Sequence, residues 1–62
     1  MLITYKDKNW KVDREMSVSE MLEEIGLADA HLLVFVDGKL ARDENKVSSE
    51  SSVKLYDVVT GG

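Results

Sequence analysis

The one stretch of helical period in this chain lies between two strand-like hairpins, and that order leaves few folds open. Val18, Met21, Leu22 and Ile25 recur at i, i+3, i+4 and i+7, which is one face of an α-helix. Both ends are marked. Ser17 stands at the N-cap with Glu20 three residues on, the capping-box pattern, and Met16 and Met21 are spaced for a hydrophobic staple. Gly26 takes the left-handed position after the last turn, with Leu27 placed to close the motif.

The flanks have the other period. Residues 2–6 are rich in β-branched and aromatic types and read as a strand, Asp7-Lys8-Asn9 as a turn, and residues 10–14 as an alternating, half-buried strand. Residues 31–36 are apolar at almost every position, as in a strand contacted on both faces. Asp37-Gly38 is a strong hairpin signal and Lys39-Leu40-Ala41 a short return. Residues 42–52 are polar and serine-rich; that is long for a loop, so a short helical turn or an extra bend is expected inside it. Residues 53–59 form the last strand. A single helix between two hairpins must cover one face of a mixed sheet. The long intervening chain lets the first and last strands lie parallel at its centre. The expected class is α+β, a β-grasp with a four- to five-stranded mixed sheet. It makes one domain over 1–62 with a flexible tail at 60–62.

Composition removes several functions. The chain has 62 residues and no cysteine, so disulfide staples, thiolate metal sites and cysteine nucleophiles are excluded. With 44% hydrophobic residues it can build one compact core. The formal charge of −4 and the lack of a basic cluster argue against nucleic acid, and the acidic balance suits a basic partner surface. The longest apolar run, Leu32 to Val36, is too short to span a bilayer, and no secretory signal is visible; a cytoplasmic protein is expected. His31, the one histidine, reads as a strand-edge residue. Asp37, Asp43 and Glu44 lack the spacing that calcium favours and read as a solvated turn, so no metal site is expected. Trp10 reads as packed against the sheet or its rim.

The last two residues are Gly61-Gly62, directly after the strand-like run Val53 to Val59. Glycines carry no side chain and can thread a slot closed to other residues, delivering a carboxylate to another protein's active site. The β-grasp order, Val36-Asp37-Gly38-Lys39 before a polar loop, and the ending Val53-Lys54-Leu55-Tyr56-Asp57-Val58-Val59-Thr60-Gly61-Gly62 resemble the ubiquitin-like sulfur carriers. That family comprises the thiamine-biosynthesis carrier, the small subunit of molybdopterin synthase and their tRNA-thiolation relatives. The length is closer to the thiamine type.

The resemblance implies a carrier with no catalysis and no bound cofactor of its own. A ubiquitin-activating-type adenylyltransferase would use ATP to adenylate Gly62, which then becomes a thiocarboxylate. Gly61 and Thr60 would form the neck by which the tail is recognised. The sulfur would pass to a thiazole synthase, or to a molybdopterin synthase large subunit. Molybdenum or tungsten cofactor synthesis, tRNA thiolation, a protein-conjugating modifier and a plain β-grasp interaction module are the other readings. The free protein is expected to be a monomer.

Strand parity sharpens one surface. Val34, Val36, Val53 and Leu55 share a face and are expected to meet Met21, Leu22 and Ile25 in the core. Leu33, Phe35, Tyr56 and Val58 then lie on the face the helix cannot cover. They form either a docking site for partners or a patch closed by a loop or the first hairpin.

Overall fold

The computed structural model describes residues 1–58. The elements run β1 (Leu2–Tyr5), β2 (Lys8–Lys11), β3 (Met16–Ser17), α1 (Val18–Glu24), β4 (Leu32–Val36), β5 (Lys39–Ala41), β6 (Lys46–Val47) and β7 (Ser52–Asp57). Five strands form one mixed sheet in the order β2-β1-β7-β4-β5. β1 and β7 run parallel at its centre, with Ile3 opposite Val53 and Tyr5 opposite Leu55; the other neighbours are antiparallel. α1 covers one face. The core is Ile3, Val34, Val53 and Leu55 from the sheet and Val18, Met21 and Leu22 from the helix, joined by Met1, Met16 and Val47. Val36, Ile25 and Trp10 pack half-buried against it.

The helix forms as its signals require. At the N-terminus of a helix four backbone N–H groups lack intrahelical partners, and here each finds one. The Ser17 N–H donates to the Glu20 carboxylate (3.2 Å) and the Glu20 N–H to the Ser17 hydroxyl (3.2 Å), completing the capping box. The Val18 N–H donates to the Asn45 carbonyl (2.9 Å) and the Ser19 N–H to that of Asp43 (3.2 Å). At the other end Gly26 has φ +79°, its N–H donates to Glu23 O, and the Leu27 N–H donates to Leu22 O. That is a Schellman stop.

Two sequence expectations need correction. The first turn is Lys6-Asp7, not Asp7-Lys8-Asn9, and the second strand is Lys8–Lys11 rather than 10–14. Lys6 accepts φ +54°, so a two-residue hairpin closes without a glycine, and pairing Ile3 with Trp10 puts the indole on the core side. In the polar stretch 42–52 the expected extra bend is present and a helical turn is not: the Asn45 N–H donates to Arg42 O (3.0 Å) and the Ser51 N–H to Ser48 O (3.1 Å). The stretch holds β6, which pairs antiparallel with β3 as a second, two-stranded sheet and buries Val47 opposite Met16. Strand ends elsewhere shift by a residue or two, with β7 closing at Asp57; Val59, expected in that strand, lies outside the described residues. Among the described residues no helix is long and apolar enough to cross a membrane.

Candidate functional site

Among the described residues nothing covers the sheet face away from α1. Side chains alternate across strands, so Leu33 and Phe35 of β4, Leu40 of β5, and Lys54 and Tyr56 of β7 share it. The register places Leu33 beside Tyr56, and Phe35 between Lys54 and Leu40. Phe35 meets Tyr56 edge to face, with centroids 5.6 Å apart and an interplanar angle of 82°. Leu33, Tyr56 and Val58 are exposed, Tyr56 by 51%, while Phe35 is half-buried among its neighbours. Among the described residues neither the first hairpin nor a loop closes over this cluster. Leu40, 62% exposed, belongs to the same patch and escaped the sequence reading. Its signal was available: two hairpin residues after Val36 fix Phe35 opposite Leu40. A hollow of about 670 Å3 borders the patch, lined by Phe35, Asp37, Gly38, Ser52, Lys54 and Tyr56.

The charge of this face differs from that of the chain. The strand residues sharing it are Leu2, Thr4, Asn9, Lys11, Leu33, Phe35, Leu40, Ser52, Lys54 and Tyr56. The charged members among these strand residues are two lysines, Lys11 and Lys54, and the turn residue Asp37 brings a carboxylate to the bordering hollow. The acidity lies elsewhere: Glu15, Glu20, Glu23 and Glu24 gather around the start and outer side of α1.

The hairpin loop Asp37-Gly38 anchors the start of β7. Asp37 has φ +51° and Gly38 φ +85°, the left-handed pair of a two-residue hairpin turn. The Asp37 N–H donates to Ser52 O (2.8 Å), and the Ser52 N–H donates to the Asp37 carboxylate (3.0 Å). That bond, helped by the Ser51 hydroxyl, holds the Asp37 carboxyl below its usual pKa. Asp37 therefore serves the fold, and Asp43 serves it through the carbonyl that receives the Ser19 N–H.

At the far end of β7 a cluster appears that sequence reasoning missed. The Tyr5 hydroxyl donates to Asp57 Oδ1 at 2.6 Å, and Lys6 Nζ lies 3.1 Å from Asp57 Oδ2. The same ammonium sits 5.3 Å from the centroid of the Tyr5 ring. The hydrogen bond from Tyr5, then that from Lys6, holds the Asp57 carboxyl below its usual range; in return Asp57 raises both Tyr5 and Lys6. On the opposite edge the Val58 N–H donates to the exposed His31's carbonyl (3.2 Å). The chain is thus held on both sides where it leaves the sheet. Thr60, Gly61 and Gly62, the tail residues expected from the sequence, lie outside the described residues.

One helix laid across a five-stranded mixed sheet with parallel central strands defines the β-grasp, ubiquitin-like class. Within it, the chain is similar over its full length to the crystal structure of the thiamine biosynthesis protein ThiS from Geobacter metallireducens. The TM-score is 0.71 and the identity 25%, with 100% of each chain covered. The protein is ThiS-like, with the fold of a ubiquitin-like sulfur carrier. No protein-family model and no curated protein matches the chain.

Proposed function

We propose that this protein is a sulfur carrier for assembly of the thiazole ring of thiamine, acting through the carboxylate of Gly62. The observation that carries the reading is the full-length likeness to ThiS, in a chain whose β7 leads into Gly61-Gly62. The chemistry suits those residues. A carboxylate is a poor electrophile. Attack of the Gly62 carboxylate on the α-phosphorus of ATP releases pyrophosphate and leaves an acyl-adenylate. A sulfur nucleophile then displaces AMP at the carbonyl carbon, giving a thiocarboxylate whose sulfur can be handed on. ATP is bound by the activating enzyme, and the carrier supplies the carboxylate, the slender Gly61 neck with Thr60 behind it, and a body to be recognised.

The recognised body is the open face. Leu33, Phe35, Tyr56 and Val58, with Leu40, dock on the adenylyltransferase and on the sulfur-accepting thiazole synthase. An apolar patch of this kind on a small domain favours a partner surface. Lys54 beside Phe35 favours an acidic group on that surface.

Intact-mass measurement after incubation with the adenylyltransferase, ATP and a sulfur donor tests the reading. Exchange of one oxygen for sulfur, mapped to Gly62, supports it. An unchanged mass with an enzyme that thiolates a known carrier sinks it, and a lysine-linked adduct would assign a conjugating modifier instead.

A further inference from the structure

We infer that Asp57, Tyr5 and Lys6 form a clamp that fixes where the chain leaves the sheet, and that this clamp positions the carrier's tail for activation. The inference rests on the sulfur-carrier reading for its second half and on geometry alone for its first. β1 pairs with β7 only as far as Tyr5 and Leu55, after which β1 turns away at Lys6-Asp7. Tyr56 and Asp57 therefore have a backbone neighbour on the β4 side alone, opposite Leu33 and Leu32. Strand parity supplies the missing side. Asp57 shares its face with Leu55, and Tyr5 lies opposite Leu55, so the Tyr5 hydroxyl reaches Asp57 along the diagonal, at 2.6 Å. Lys6 closes the second carboxylate oxygen at 3.1 Å.

Two further facts point to positioning rather than stability. The Tyr5 ring is half-buried against the core, but the Lys6 ammonium and Asp57 carboxylate stand at the exposed rim, where ion pairs contribute little to the folding equilibrium. Lys6 also occupies a left-handed turn position, φ +54°, that glycine or asparagine would fill at lower conformational cost. A lysine there brings an ammonium to Asp57, which neither of those residues could do.

The consequence follows from chain geometry. From Val58 to Gly62 four residues reach at most about 14 Å. With so short a reach, the angle and origin of departure decide whether the carboxylate arrives at an active site while the body is docked. Releasing the strand end adds freedom that must be frozen again at each encounter, a loss of about tenfold per residue re-ordered.

The test uses the full chain with Tyr5→Phe, Asp57→Ala and the double variant. Readouts are hydrogen exchange at the Val58 amide, the thermal midpoint, and ATP–pyrophosphate exchange by the adenylyltransferase. The expected result is faster Val58 exchange, a midpoint within a few degrees of the parent, and a loss in kcat/KM of about tenfold. The double variant should be no worse than Asp57→Ala, because both substitutions break one unit. Unchanged Val58 exchange overturns the clamp outright. Faster exchange with undiminished activation overturns its positioning role while leaving the carrier reading intact. A parent protein that the enzyme does not activate overturns the carrier reading, and the positioning role with it.

Discussion

Leu55 and Tyr56 are adjacent on β7, yet they should fail in opposite ways when cut to alanine. Leu55 is 3% exposed and packs under α1 with Ile3, Val34 and Met21. Tyr56 is 51% exposed on the open face and its main side-chain partner is Phe35. Removing a buried leucine costs about 2–5 kcal/mol, transfer and cavity together. A chain of this length has a total stability of only about 3–9 kcal/mol, so Leu55→Ala should leave it marginal or unfolded at 37 °C. Tyr56→Ala removes an aromatic pair worth about 1 kcal/mol and little buried area. In a domain this small that is a fall in midpoint of about 8 °C at most. If Tyr56 anchors the docked partner, its truncation should weaken binding by about 2 kcal/mol, or roughly 30-fold. Thermal and urea unfolding give the first quantity, and calorimetric titration with the adenylyltransferase, without ATP, the second. The reasoning fails if Tyr56→Ala destabilises as much as Leu55→Ala. It also fails if Tyr56→Ala binds like the parent, for then the open face is not where partners sit.

Three further outcomes follow from the local chemistry. Ser17→Ala should cost about 1 kcal/mol in urea unfolding, as loss of an N-cap does, whereas Ser17→Asp should recover most of it. The Ser17 backbone N–H first, and its hydroxyl second, hold the Glu20 carboxyl below its ordinary value, so its folded pKa is depressed. Its contribution is complete above the unfolded pKa and is lost as pH falls through the lower folded one; a stability–pH titration should therefore show a shallower acid limb in Glu20→Gln. Gly26→Ala should cost about 1–2 kcal/mol from backbone strain at φ +79° alone, because a Cβ there meets nothing within 4 Å; a cost near zero would show that the helix stop can relax.

How much of this was legible in the sequence depended on the range of the signal. The helix, its capping box and its glycine stop were readable because each is written within four residues of chain, and the Asp37-Gly38 hairpin likewise. The division of β4 and β7 into a core face and an open face followed from a period of two. The β3–β6 pair was not legible: two residues of strand carry no period, and the pairing of Met16 with Val47, like the capping of the helix start by the Asp43 and Asn45 carbonyls, joins segments far apart in the chain. The first turn was misplaced because Lys6 does not announce a left-handed conformation, as a glycine would. The Tyr5–Asp57 contact spans 52 positions and depends on parallel register, which no local pattern encodes.

The parallel pairing of β1 with β7 also explains why a body this small can hold a core and present an outward surface together. Placing the last strand at the centre gives it neighbours on both sides, so Val53 and Leu55 are buried by contacts from β1, β4 and α1 at once. The same centrality puts Lys54 and Tyr56 in the middle of the uncovered face rather than at an edge. Because β1 ends two residues sooner than β7, the end of β7 overhangs its neighbour, and a side-chain clamp takes over where backbone pairing stops. Alternate residues of one strand therefore hold the fold together and present the open apolar face, and the next residue, Asp57, closes the strand. A substitution that slipped β7 by one position would exchange these roles all at once, exposing Val53 and Leu55 and burying Lys54. Such a slip would cost the core as well as the open face, so the register that stabilises the domain also decides which side chains that face presents.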